Sequence, residues 1–432
     1  MRSGKVVKAL SIVASVAMLA GMSACGGNAK SSSDSNTITW LSARPASEGT
    51  IKSINAIAKE YAKKHPGFKL QFQNISDRNS YNQKLKVLAS SNQLPDMWDA
   101  DPDPYFKQLV SNGKTEDIGA LYKELGVQNK FYKISTDYPK LDDGSLHLIT
   151  LSANAEYFFY NKDAFKAANI TEAPTTFDEF LQDLPKLKQA GYTPLAVDGK
   201  DQWPFYRYLG MLPFRETGNT YLDQLKDGKV SMGNPTGKEA IEFLKNVSQY
   251  FQEGFTNTDA TASLNLFKSK KAAMTYDGTW DLPELVGPDG NLKSDIGYFR
   301  MPILSSKDKT KPTDFFANSG IGTAISKGKL TPTLKDFLKY FFKNYGDVAF
   351  NKYATIPSVK PDTESGAPQV YRDILKDIAG VNTYAKVWDV QLDSNTTSVL
   401  GRQCQSLLVN QGNEATFISS VDQAIKQNKE SK

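Results

Sequence analysis

Residues 264–285 contain the residue types best suited to binding a small polar molecule. An amphipathic helix pattern leads through a basic turn into the apolar run 272–274, which predicts a short strand. Tyr276, Asp277 and Trp280 follow in a predicted loop. A flat indole beside a carboxylate can bind a ligand that has one apolar face and several polar groups. In a second interpretation, Trp280 belongs to the core and the acids cap helices, and this segment alone does not decide between the two.

Strand and helix patterns alternate in the part of the chain that precedes this segment. Residues 37–41 and 68–72 alternate apolar and polar side chains as half-buried strands do, and residues 94–98 predict a third strand. Apolar residues recur at helical spacing between these strands, in residues 51–61 and 81–89. This order predicts an α/β domain with a largely parallel sheet.

The first 24 residues have the features of an export signal. Three basic residues precede an apolar or small-residue run, 9–24, which is short for a membrane span and typical of a secretory signal. The signal ends at residues 22–27, MSACGG, which resemble a bacterial lipobox. That resemblance implies that Cys25 is lipidated and anchors the chain to the extracellular face of the cell membrane. Residues 25–36 are rich in Gly, Ser and Asn and predict a flexible tether.

The composition excludes several classes of function. Lys and Arg number 52 against 47 Asp and Glu, and no basic block is present that would bind nucleic acid. About four hundred residues beyond the signal are too many for one core and favour two domains. His65 and His147 lie far apart in a chain with two cysteines, so no metal site and no cofactor are expected. With Cys25 lipidated, Cys404 has no partner for an intrachain disulfide, and we expect it to be buried.

Five segments, spread over most of the chain, carry motifs in a characteristic order. They are residues 146–163 (LHLITLSANAEYFFYNKD), 174–180 (PTTFDEF), 270–280 (KKAAMTYDGTW), 319–326 (SGIGTAIS) and 354–358 (ATIPS). The series resembles that of the family 1, maltose-binding-protein-like extracellular solute-binding proteins of carbohydrate ABC transporters. Two positions depart from the family motifs, since Phe177 replaces a Trp and Lys270 replaces a Gly.

The resemblance implies an α/β fold of two lobes, joined by a hinge of three chain crossings, with the ligand cleft between the lobes. Matching the motifs gives crossings near residues 152–154, 317–319 and 356–361. Lobe 1 is then expected to contain residues 37–152 plus 318–357, and lobe 2 residues 153–317 plus 358–432. Residues 360–367, rich in Pro, Asp and Gly, give an independent linker signal near the third crossing.

A sugar presents an apolar ring face and a rim of hydroxyl groups, so its site needs aromatic platforms and paired polar groups. Trp280 and Trp203 are the preferred platforms, because Trp203 lies in a polar loop where the family also places an aromatic residue. Trp388 resembles a cleft aromatic of the family, although a core position suits it equally well. Trp40 and Trp98 lie within strands and are expected in the core.

Polar candidates are found where strands end and where the chain crosses between lobes. Asp99 and Asp101 follow the third strand, the position at which open α/β sheets bind ligands, although an exposed acidic loop is an alternative. Glu48 either contacts ligand or begins the next helix as an acid favoured by the helix dipole. The full set of predicted polar ligand contacts is Asp277, Asp99, Asp101, Arg44, Glu48, Asn154, Glu156 and Asn318.

The resemblance therefore implies a monomeric, lipid-anchored protein that binds an oligosaccharide outside the cell and delivers it to an ABC permease. A glycoside hydrolase remains an alternative, because it needs only two carboxyl groups about 5–10 Å apart, but no catalytic motif is recognisable. A binding protein for a non-sugar polar solute is also open. A surface adhesin is disfavoured because the chain lacks internal repeats.

Overall fold

The computed structural model describes residues 36–46, 48–305 and 308–430, apart from the side chain of Asn79. The predicted signal, Cys25 and all but the last residue of the predicted tether lie outside the described residues. From Asn36 onward the chain is built on two β-sheets, each covered by helices.

The first sheet contains four strands in the order β2-β1-β3-β9. Strand β1 (Thr37–Ser42) pairs in parallel with β2 (Lys69–Asn74) and β3 (Met97–Ala100), and β9 (Gly322–Ile325) is antiparallel to β3. The largely parallel α/β sheet predicted for this part of the chain is confirmed. The helices that follow its strands are α1 (Gly49–Lys64), α2 (Arg78–Ser90), α3 (Pro104–Ser111), α4 (Ile118–Leu125), α5 (Lys133–Asp137) and α13 (Pro332–Tyr353).

Successive residues of these strands enter two different cores, one on each face of the sheet. Trp40 and Met97 pack with α1 and α13, whereas their neighbours Leu41 and Trp98 pack with α2 and α3. This alternation follows from the two-residue period of a strand. It confirms the core positions predicted for Trp40 and Trp98, which are buried.

The second sheet has β4 (Asn154–Asn161) near its centre, in the order β5-β6-β4-β7. Strands β6 (Ala272–Gly278) and β7 (Ile296–Phe299) are antiparallel to β4, and β5 (Thr193–Ala196) is parallel to β6. The helices of this half are α6 (Lys162–Ala167), α7 (Phe177–Gln189), α8 (Trp203–Thr217), α9 (Thr220–Lys226), α10 (Pro235–Ser248), α11 (Ala260–Lys268), α12 (Leu282–Leu285), α14 (Gln369–Gly380), α15 (Trp388–Gln391), α16 (Ser394–Leu408) and α17 (Glu414–Glu430). The buried thiol of Cys404 packs in their shared core, as predicted.

The three segments predicted as chain crossings lie side by side. Strand β8 (Ala317–Asn318) pairs with the start of β4, which places Asn154 opposite Asn318. Ser152 forms a bridge with Pro357, and the Ala153 N–H donates to the Ile356 carbonyl at 3.1 Å. The chain therefore passes between the regions of the two sheets through three segments, the first of which is hydrogen-bonded to each of the other two.

The start of α7 has a capping box. Thr176 Oγ1 accepts from the Glu179 N–H at 3.2 Å, and Glu179 Oε2 accepts from the Thr176 N–H at 3.0 Å. The N–H groups of Thr175 and Thr176 lower the pKa of Glu179 to about 2, so its contribution to stability is present at neutral pH and is lost as the pH falls towards 2.

Removing this cap gives a first testable prediction. We expect Thr176→Ala to reduce the free energy of unfolding at pH 7 by about 0.5–2 kcal/mol, because the Glu179 N–H loses its acceptor. Chemical denaturation measures the change, with Thr171→Ala at an exposed position as the control. Equal stability of the two variants would contradict the role given to the cap.

Candidate functional site

Two of the predicted aromatic residues, Trp203 and Trp280, lie against each other. Their ring centroids are 5.8 Å apart and the ring planes meet at 78°. Trp280 is 40% exposed, unusually open for a large apolar side chain, and Trp203 is half-buried. Two indoles at nearly a right angle form an open corner that can receive the apolar face of a ligand.

The elements that carry the two indoles differ from the predicted loops. Strand β6 extends to Gly278, so Asp277 lies within the strand and Trp280 follows two residues after its end. Trp203 is the first residue of α8 rather than part of a loop, because Pro204 suits a helix start and Gln202 turns the chain with φ 66°. The second sheet and α8 together fix the corner.

Gly278 allows the Trp280 ring to lie directly over the backbone of β6. A Cβ atom at this position would overlap the six-membered part of the indole, so only glycine accepts the observed ring position.

We expect Gly278→Ala to weaken ligand binding about three- to tenfold, because the Trp280 ring must turn out of the corner. Stability should change little, since the ring is already partly exposed. Isothermal titration measures the affinity, and Gly380→Ala, whose added Cβ meets nothing within 4 Å, is the matched control. Unchanged affinity in the Gly278 variant would show that the ring position is irrelevant to binding.

Arg207 connects the aromatic corner to buried acids. It lies one helical turn after Trp203, and its guanidinium carbon is 5.3 Å from the centre of the Trp203 ring. Its Nε lies 3.0 Å from Oε2 of the fully buried Glu156, and its Nη1 lies 2.8 Å from Oδ1 of Asp389. The guanidinium therefore pairs with both carboxylates and lies over the Trp203 ring.

A group of side-chain amides extends this network along the chain crossings. Asn318 Nδ2 donates to Glu156 Oε1 at 3.1 Å, and Asn154 Nδ2 donates to Asn318 Oδ1 at 3.3 Å. The Thr279 hydroxyl, beside Trp280, donates to Asn154 Oδ1 at 3.3 Å. The structure thus joins Asn154, Glu156 and Asn318 in one hydrogen-bonded network, with Glu156 inaccessible to solvent. Their contact with a ligand stays a prediction.

Asp101 approaches the same region from the first sheet. Burial, followed by the charges of Asp101 and Asp389, raises the pKa of the half-buried Tyr138 well above its usual value. Asp101 is ion-paired with Arg78, and both line a cavity of about 140 Å³ that also includes Ser394 at the start of α16. Asp101, which follows a strand of the first sheet, and Ser394, in a helix that packs with the second sheet, therefore line the same cavity.

The placement of Asp99 departs from the predicted free carboxylate beyond the third strand. Asp99 lies inside β3 and is fully buried, with Oδ1 accepting from Trp40 Nε1 at 3.0 Å and from Thr323 Oγ1 at 2.8 Å. Its Oδ2 accepts from Ser42 Oγ at 2.7 Å and lies 2.7 Å from Arg44 Nη1. The carboxylate has no acceptor capacity left for a ligand, so its observed role is to join three strand ends.

Arg44, Glu48 and Trp388 are also occupied within the fold. Arg44 is buried against Asp99, and its Nε lies 3.9 Å from Glu48 Oε1. Glu48 precedes α1 without capping it through its side chain, and burial raises its pKa. Trp388 is 2% exposed and packs against Gly210 and Tyr221, which corresponds to the core alternative.

Asp277 lines a small cavity behind the aromatic corner, together with Trp203 and Trp280. Burial and the neighbouring charge of Asp281 raise the pKa of Asp277 well above its usual value. Asp277 and Trp280 therefore line the same cavity, with Asp277 in strand β6 rather than in an open loop.

A larger cavity of about 440 Å³ lies beside β7, lined by residues that include Tyr298, Arg300, Met301 and Asp377. Its charged groups already satisfy each other, because Arg300 is ion-paired with Asp377. It has no exposed indole and is open to solvent. The aromatic corner therefore remains the better candidate site.

A sequence model of the family described as bacterial extracellular solute-binding protein matches residues 46–347. The chain belongs to this family. The family resemblance predicted from the motif order is thereby confirmed.

Individual members of the family resemble the chain at low sequence identity. An uncharacterized ABC transporter extracellular-binding protein of Pyrococcus horikoshii is 23% identical over 242 residues, covering 54% of this chain and 53% of that protein. A multiple sugar-binding protein of Streptococcus mutans is 24% identical over 361 residues, covering 78% and 79%. The chain thus spans about half the length of the first relative and most of the second.

The structure of a chitin oligosaccharide binding protein superposes with a TM-score of 0.78 at 21% identity, covering 91% of this chain and 99% of that one. At this identity the likeness concerns the fold alone. This solute-binding protein has the two-lobed α/β fold of the periplasmic-binding-protein type, as predicted.

Several residues of the site in this family member are not indicated by its sequence. Arg207 was identifiable only by its four-residue spacing from Trp203, and Asp389 only as the neighbour of Trp388. Nothing in the local sequence marked Tyr138. In the described part of the chain, no group of three or more His, Cys, Asp or Glu is arranged to hold a metal ion. None of the described helices combines the length and apolar character needed to cross a bilayer.

Proposed function

We propose that this solute-binding protein captures an oligosaccharide at the Trp203–Trp280 corner and delivers it to an ABC import permease. The observation that carries the proposal is the partly exposed pair of perpendicular indoles next to the Arg207 network. Two similar proteins, a multiple sugar-binding protein and a chitin oligosaccharide binding protein, support a saccharide as the ligand class.

The chemistry of the corner suits a sugar. The C–H face of a ring stacks on an indole, while its hydroxyl groups need donors and acceptors around the rim. Asp277, Asp389 and Arg207 offer these groups near the rings. A saccharide of about 25–35 heavy atoms, at roughly 0.3 kcal/mol per atom, would reach about 8–10 kcal/mol, which corresponds to micromolar or tighter binding.

Hinge closure is the mechanism that we propose for signalling to the permease. The lobes are residues 37–152 plus 318–357 and residues 153–317 plus 358–432, joined at the three neighbouring crossings. A ligand that contacts both lobes only when the cleft is shut shifts the population towards the closed form. The Nζ atom of Lys226 in α9 lies 3.1 Å from Oδ1 of Asp142. In this proposal, closure of the cleft forms contacts of this kind between the lobes.

We further propose that Cys25 carries a lipid that keeps the monomeric protein at the extracellular face of the membrane. The lipobox-like residues 22–27 and the polar tether support this location. The protein is proposed to bind its ligand without chemical change.

A thermal-shift screen of di- and trisaccharides tests the proposed function. A ligand at one hundred times its Kd stabilises the folded state by about 2.7 kcal/mol, which raises the midpoint measurably. Chromatography of the recovered ligand should show the intact saccharide. Release of reducing sugar would instead establish a glycoside hydrolase, and stabilisation by non-sugar solutes alone would overturn the saccharide assignment.

A further inference from the structure

A cavity of about 90 Å³ lies behind the aromatic corner, walled on one side by Trp203 and Trp280. Four carboxyl groups line it, and its lining includes no Lys or Arg among the described residues. The four are Asp198, Asp201, Asp277 and Asp281. Ser263, Thr275 and Tyr276 also line it.

One carboxylate oxygen in this cavity lacks a hydrogen-bond partner. Asp198 is only 5% exposed, and its Oδ1 accepts from the Asp201 N–H at 3.2 Å. Its Oδ2 is buried and receives no hydrogen bond from any described residue. Because a buried carboxylate without a donor is costly, this oxygen marks a position where a donor from outside the chain would be stabilising.

The charges around the cavity are not balanced. Burial and the charge of Asp201 raise the pKa of Asp198 to about 7, with Trp203 opposing the shift. Burial first, and then the charge of Asp281, raises the pKa of Asp277. Burial also raises the pKa of Asp281, and Lys268, which opposes this shift, is already paired with Glu284. The described residues of the lining therefore supply four carboxyl groups and no cationic side chain to pair with them.

We infer that this cavity receives a ligand ammonium group, so that the saccharide bound at the corner carries a free amine. An ammonium group has three donors for the carboxylate oxygens, including the unpartnered Oδ2 of Asp198. The volume holds a few heavy atoms but not a sugar ring, since one water occupies about 30 Å³ of liquid. A ring stacked on the indoles can place one substituent there. This inference rests on the proposed function and specifies its ligand class.

Matched saccharides at pH 7 test the inference by isothermal titration. The probes are glucosamine oligomers and their N-acetylated counterparts of equal length, which differ in the charge of the amino group. We expect the free amines to bind about 10- to 100-fold more tightly, as a charged hydrogen bond in a buried site gives. Asp198→Asn should remove most of this preference, whereas Asp362→Asn, at an exposed position, should retain it.

The outcomes separate this inference from the proposed function. Equal or tighter binding of the N-acetylated or neutral saccharides would overturn the ammonium site and leave saccharide binding standing. A preference for the amines that persists in Asp198→Asn would also overturn it. If no saccharide of any kind binds, both the inference and the proposed function fail.

Discussion

Replacing Trp203 and Trp280 together with alanine is expected to abolish measurable saccharide binding. Truncating an aromatic residue at the centre of a site costs about 2 kcal/mol or more, or about 30-fold in affinity for each indole. The combined loss should approach 10³-fold, reduced by coupling because the rings are in contact. Isothermal titration of the single and double variants measures these changes.

The fold should survive the double substitution. Trp280 is 40% exposed and Trp203 is half-buried, so neither anchors a core. Val87→Ala, at a side chain that is 65% exposed on α2, provides a control for the loss of exposed apolar surface. Retained affinity in a folded double variant would place the ligand elsewhere.

Arg207→Met is expected to be the most destabilising substitution near the site. It leaves the fully buried Glu156 without its cation, and breaking a buried ion pair typically costs about 3–5 kcal/mol. Asp389 and the Trp203 ring lose their contact with the guanidinium at the same time. Chemical denaturation should therefore show a large fall in the midpoint, and the ligand affinity should fall as well.

A double variant tests the reason for this loss. Arg207→Met combined with Glu156→Gln removes the uncompensated charge and should recover part of the stability. Lys229→Met, which breaks an exposed ion pair with Asp227, should change stability little. If Arg207→Met alone were as stable as the parent protein, the network would contribute nothing to holding the crossings together.

Local sequence signals predicted the fold well. The helical spacing of apolar residues in α1 and α2 and the alternating strands β1 and β2 all depend on residues a few positions apart. Such features follow from backbone preferences and nearby hydrogen bonds, which a single sequence displays directly.

The site was predictable only in part, because its contacts join distant residues. Trp203 and Trp280 were each identified, but their contact depends on how far β6 extends and where α8 begins. Arg207 lies 51 positions from Glu156 and 182 from Asp389. Asp99 looked free in the sequence because one of its partners, Thr323, is 224 positions away.

The most direct measurement is a crystal structure of the protein with the tightest-binding saccharide from the thermal screen. We predict one sugar ring stacked on Trp280 or Trp203 and a substituent directed towards Asp198 and Asp277. A saccharide bound instead in the larger cavity beside β7, against Tyr298 and Arg300, would contradict the assignment of the aromatic corner as the site.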